Sequence, residues 1–174
     1  MLTEKMEAAL NAQLVLEAYA SNLYLSMGAW CEQKGMEGCA EFMYRQSEEE
    51  RQHMLKIFNY INETDGHALA PGVKQPPHDF DSVQNMFEKV YEHEQGVTRS
   101  INDLVRISYA ENDHATLQFL QYYVEEQREE EALMRTILDK IKLIGDGPQS
   151  LYFIDMEVAK INNQIPGGGS GNEA

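Results

Sequence analysis

Four long runs of helix-forming sequence, joined by short, long and short connections, leave this chain few folds to choose from. Apolar residues recur at helical spacing over 4–32 (α1), 37–64 (α2), 81–110 (α3) and 114–144 (α4). Pro148 opens a shorter run, α5, to about 163. Thr3, Asp81 or Ser82, and Asp113 stand where N-caps are wanted. Gly35, Gly145 and Gly147 stand where helices end. No stretch alternates as a strand would. The short α1–α2 and α3–α4 connections make two antiparallel hairpins. Between them lies DGHALAPGVKQPPHDFD, residues 65–81, which its three prolines keep out of a helix. Extended, it reaches about 50 Å; a helix the length of α2 is about 42 Å long. The connection can therefore cross the whole bundle and set α3 parallel to α2. The expected fold is all-α: a four-helix bundle with one long crossover and a short fifth helix, residues 1–165. A Gly-rich tail follows at 166–174.

The core stripes of these helices are not purely apolar. In α3 the stripe reads Val83, Phe87, Val90, Glu94, Val97, Ile101, Leu104. In α1 it reads Leu10, Leu14, Glu17, Ser21, Tyr24. The α4 stripe reads Leu117, Leu120, Val124, Gln127, Met134, Leu138, Ile141. In α2, the register of Cys39, Met43, Gln46, Ile57 and Ile61 places Glu50 and His53 inward. Glu17, Glu50, Glu94 and Gln127 each lie a dozen or so residues into their helices, about 20 Å deep, at one level of the bundle. Several carboxylates cannot share a dry core unpaired; each costs several kcal/mol and crowding raises its pKa. A cation must neutralise them. Glu50-x-x-His53 offers an oxygen and a nitrogen from one helix face. That donor mixture suits iron or manganese, with zinc a competitor, and di-iron bundles combine glutamates with Glu-x-x-His.

Other polar residues carry less. Glu111 and His114 repeat the Glu-x-x-His spacing but lie in the α3–α4 turn, without partners at their depth. His67, His78 and His93 read as solvated. Cys31 and Cys39 fit no metal-binding pair spacing and read as reduced thiols in the core. The formal net charge of −15 argues against nucleic acid and anionic membrane partners and favours cations. MLTEKMEAAL lacks the apolar stretch of a secretory leader, and no run is long enough to span a membrane, so a cytoplasmic location is expected.

Across residues 1–165 the chain resembles bacterial non-haem ferritin. The resemblance is carried by LEAYASNLY at 16–24, SEEERQHM at 47–54, YEHEQ at 91–95, LQYYVEEQREEE at 120–131 and LYFID at 151–155. It implies a twenty-four-subunit hollow cage that oxidises Fe(II) with O2 or peroxide and stores a ferric mineral. Glu17, Glu50 and His53 would bind a first iron. Glu50 would bridge to a second, held by Glu94 and Glu130, with Gln127 behind them. Glu49, Glu126, Glu129 and Glu130 match a third iron site of the family. Tyr24, two turns from Glu17, would bond a ligand carboxylate and could supply an electron. Tyr122 stands where relatives often carry tryptophan, so an electron-donor role does not transfer there. α4 offers Gln127-x-x-Glu130 in place of a second Glu-x-x-His, unlike di-iron peroxidases of the rubrerythrin type. Met54 is misplaced for a haem ligand, so no haem is expected. DNA-protecting cages of the Dps kind place their iron between subunits and often have a basic tail; this chain fits neither feature.

Overall fold

A computed structural model describes residues 2–165; the tail at 166–174 lies outside the described residues. The five helices are α1 (Glu4–Gln33), α2 (Glu37–Glu63), α3 (Val83–Glu111), α4 (His114–Ile144) and α5 (Ser150–Gln164). The Thr3, Ser82 and Asp113 side chains accept from the backbone N–H groups of Met6, Asn85 and Thr116, satisfying donors that each first turn leaves open. α1 closes through Gly35 at φ +73°, and α3 through Asn112 at φ 55°. α5 starts two residues after Pro148, with Gln149 as its cap.

The long connection climbs along α1. The Asn11 side chain donates to the His67 carbonyl and accepts from the Leu69 N–H. Further up, Ser26 Oγ donates to the Pro77 carbonyl, and Phe80 meets the Trp30 ring edge-on at 5.5 Å. α3 then descends, with Tyr24 opposite Glu94 and Gln13 opposite Ser100. α1 runs antiparallel to both α2 and α3, so α2 and α3 are parallel, as the loop length requires.

Two apolar clusters fill the bundle. One, around Trp30, Phe42, Phe87, Met134 and Val158, lies toward the α1–α2 turn and α5. The other, around Leu10, Leu14, Ile57, Ile101 and Leu120, lies toward the α3–α4 turn. The buried acids occupy the level between them. One stripe differs from expectation. On α4 it is Leu120, Tyr123, Gln127, Glu130, Met134, Ile137 and Ile141 that point inward, while Val124 is 37% exposed and Leu117 and Leu138 are half-buried. Tyr123 can occupy the core because its hydroxyl donates to the His53 carbonyl at 2.9 Å.

α5 caps the bundle end by lying on Gly38. A Cβ there would stand 2.5 Å from the Asp155 carbonyl oxygen and 2.7 Å from the Ala159 methyl. Gly38→Ala should therefore lower stability by about 1–3 kcal/mol through overpacking. Gly96→Ala, inside α3 with only the end of Arg99 within reach at 3.7 Å, should raise it by about 0.5–1 kcal/mol. Thermal denaturation of the two variants checks the contrast; loss in both would remove the packing explanation.

Candidate metal centre

Four helices deliver side chains to the level between the apolar clusters. α1 supplies Glu17 and Tyr24, α2 supplies Glu50 and His53, α3 supplies Glu94, and α4 supplies Gln127 and Glu130. All are buried, none more than 7% exposed. Glu17, Glu50 and His53 each present a donor atom within 4.8 Å of the others. His53 Nδ1 lies 3.5 Å from Glu50 Oε2.

Neighbouring amides and phenols orient these ligands. Gln13 Nε2 donates to Glu17 Oε1 at 2.6 Å, and Ser100 holds the Gln13 carbonyl oxygen in turn. The Tyr24 hydroxyl donates to Glu94 Oε1, and Gln127 Nε2 donates to Glu94 Oε2 at 3.0 Å. Gln46 Nε2 donates to Glu130 Oε2 at 3.0 Å. Within this buried layer of the described residues, Glu17 Oε2 and Glu50 Oε1 have no hydrogen-bond partner. Orphaned acceptors are rare and costly in a core. Both belong to the three-residue donor cluster, so the donor set fits a hard or borderline cation.

The electrostatics are those of a site awaiting positive charge. Burial raises the Glu17 carboxyl well above its ordinary range, and Glu50 adds to the rise. Burial and the Glu94 charge do the same to Glu50. Glu130 is pushed up to about 8, first by burial, then by Glu94 and Glu49. Burial and Glu94 also raise the Tyr24 phenol, keeping it protonated as a donor.

The acids beyond this layer are less closely gathered. Glu126 Oε2 is 3.7 Å from His53 Nε2, and Glu49 pairs with Arg45 at 3.6 Å. Burial first, and Glu126 in smaller measure, raise the Glu49 carboxyl, and Glu49 adds to the rise of Glu130, so these three share a neighbourhood. Glu129 does not join them: it is 62% exposed and pairs with Arg128 at 3.3 Å. Its position three residues after Glu126 turns it toward solvent once Glu130 takes the inward place. Tyr122 stands edge-on to the His53 ring at 5.9 Å, with Lys56 Nζ 3.3 Å from its own ring centre. Burial and Glu126 push its phenol up to about 12.

His93 differs from expectation. It is half-buried between the Tyr19 and Tyr24 rings, its Nε2 has no partner, and burial lowers its pKa. The residue next to an inward Glu94 falls on the flank that α1 covers. The stripe reading passes over Gln13, and it places Gln46 on the α2 stripe without giving it a role. Each lies four residues before an inward glutamate and so on its face of the helix; Gln13 supports that glutamate, whereas Gln46 reaches Glu130 on α4.

A ferritin-like domain profile matches residues 7–144. A bacterial non-heme ferritin of Campylobacter jejuni is 47% identical over 161 residues, 92% of this chain and 96% of the relative. One from Escherichia coli O157:H7 is 40% identical, covering 94% of this chain and 99% of the relative. An open-pore ferritin from Archaeoglobus fulgidus superimposes with a TM-score of 0.88 at 42% identity, covering 91% of this chain and 98% of that one.

Proposed function

The chain belongs to the ferritin-like family, and on that premise we propose that it is an iron-storage ferritin that oxidises Fe(II) at the buried carboxylate layer. Residues 1–165 form its working unit. Iron is here the substrate. Glu17, Glu50 and His53 receive the first Fe(II); Glu50, Glu94 and Glu130 receive the second, with Glu50 shared. The orphaned Glu17 and Glu50 oxygens are the observation that carries this assignment. Gln13, Gln46 and Gln127 fix the ligand oxygens, and Tyr24 holds Glu94. Holding both ions at fixed separation lets each give one electron to the same dioxygen, or peroxide, without a diffusional encounter. Tyr24 stands against that reaction space and is a candidate electron source.

Glu49 and Glu126 form an oxygen-only patch beside His53 that would accept iron leaving the pair. Glu129 joins this third site only by exchanging Arg128 for a cation. An all-oxygen site without imidazole binds first-row divalent ions more weakly, which suits transit. The remaining acidity concentrates Fe(II) and favours mineral growth.

Storage needs an enclosed volume, so we infer a homo-oligomeric shell, of twenty-four subunits as the family resemblance implies. On α5, Leu151, Tyr152, Phe153 and Met156 are all 47% or more exposed, and Leu143 nearby is 81% exposed. Apolar side chains this concentrated mark a contact surface. No helix among the described residues is long and apolar enough to cross a membrane. We place the protein in the cytoplasm, with neither haem, membrane nor nucleic acid as partner.

The test is iron loading. Protein supplied with excess Fe(II) in air should sediment as one large species carrying far more iron per chain than its ligands can hold. A few tightly bound irons per chain, with the rest precipitating outside, would reject storage.

A further inference from the structure

Ten to twelve ångströms above the carboxylate layer, roughly, three sulfur atoms meet; Cys31 is seven residues beyond Tyr24 and Met86 eight before Glu94. They come from three helices: Cys31 from α1, Cys39 from the first turn of α2, and Met86 from the first turn of α3. Each is 0% exposed. Cys31 Sγ lies 3.5 Å from Met86 Sδ. The Cys39 thiol neighbours Cys31 in the same buried cluster. Nothing in the iron chemistry above uses them.

We propose that Cys31, Cys39 and Met86 form a second metal site, selective for one soft monovalent ion such as Cu(I), distinct from the iron layer. Three arguments lead there. The donors are two thiols and a thioether, with no imidazole. That set selects Cu(I) over iron, and its three members fall short of the four N or S ligands that structural zinc takes. The spacing also fits. Two sulfurs bonded to one ion at about 2.3 Å and a trigonal angle stand about 4 Å apart, so the Cys31–Met86 pair, at 3.5 Å, needs to open by only about half an ångström to admit one.

Charge is the third. Cu(I) replaces one thiol proton, so the core gains no net charge, whereas an uncompensated ion there would be strongly disfavoured. The displaced proton passes to solvent. The Asp155 carboxylate, fixed by the Cys39 backbone N–H at 2.8 Å, stands beside the Cys39 thiol at the α5 end of the bundle. Without metal, the contact with Cys31, burial and Asp155 together keep that thiol protonated. The trio is then a neutral piece of core.

Anaerobic titration of the full-length protein with Cu(I), against a coloured Cu(I) chelator as competitor, tests the site. One Cu(I) per chain should be withdrawn from the chelator, with a new near-ultraviolet thiolate-to-copper band. Cys39→Ser should weaken binding about 100-fold and Met86→Leu about 10-fold. Met86→Leu keeps both thiols and the core volume, so it still decides the matter if a cysteine variant folds poorly. Neither change should alter the rate of Fe(II) oxidation, and Glu50→Ala should leave Cu(I) uptake intact. Equal uptake by wild type and Met86→Leu, or a failure of the wild type to withdraw Cu(I) from the chelator, would overturn the proposal.

Discussion

Glu50→Ala abolishes the rapid phase of Fe(II) oxidation, cutting its rate by at least about 100-fold, while the protein still folds and assembles. Glu50 is assigned to both ions, so its loss disables both sites together. Altering a residue that merely orients a metal ligand costs about 10–100-fold; deleting the shared ligand costs more. Gln13→Ala, which only frees Glu17 Oε1, should fall in that milder range. The stability result separates chemistry from folding. Glu50 is a buried carboxyl raised by burial and by Glu94, so removing it relieves repulsion in the metal-free protein. The variant should therefore melt no lower than wild type by more than the small cavity costs, even though its activity is gone. Stopped-flow absorbance of the ferric product, with calorimetry alongside, reads both quantities. A Glu50→Ala protein that oxidises iron at the wild-type rate would falsify the shared-ligand assignment.

Much of this site can be seen in the sequence because a buried charge violates helix patterning in a countable way. Glu17, Glu50, Glu94 and Gln127 interrupt apolar stripes at equal depth, and equal depth in a bundle means proximity. Glu130 was harder to place, since EEQREEE at 125–131 offers an acid on every face of α4. Only the packing of Tyr123, rather than Val124, sets the rotation that sends Glu130 inward and Glu129 out. Turned inward, Tyr123 bonds the His53 carbonyl, a contact between residues seventy apart that no single-helix pattern contains. His93 escaped for a related reason. Its burial depends on how closely α1 approaches α3, and periodicity within one helix carries no such information. The sulfur trio joins residues from three helices, and Cys31 and Cys39 by themselves give no recognised spacing.

The metal-free protein should lose stability as pH rises from 7 to 8.5, and a bound divalent ion should cancel that loss. Glu17, Glu50 and Glu130 have carboxyl pKa values raised on folding, that of Glu130 to about 8. A group with a raised folded pKa holds its proton more tightly in the native state. Its stabilising contribution is complete below the unfolded value near 4.5 and is lost as pH rises through the folded value. Across this window Glu130 alone accounts for a fall of about 1 kcal/mol, and Glu17 and Glu50 act in the same direction. The Glu130 share corresponds to about 2–4 °C in melting temperature for a chain of this length. The lowered pKa of His93 acts in the opposite sense, but only below the ordinary histidine value near 6.5, so it leaves the window clear. Zn(II), which cannot be oxidised, should flatten the dependence, because it favours the ionised carboxylates and competes with their protons. Glu130→Gln should reduce the slope without metal, since an amide neither ionises nor repels Glu94. Melting curves of the metal-free protein that stay level or rise over this range would mean that these carboxyls are already compensated by something other than a cation.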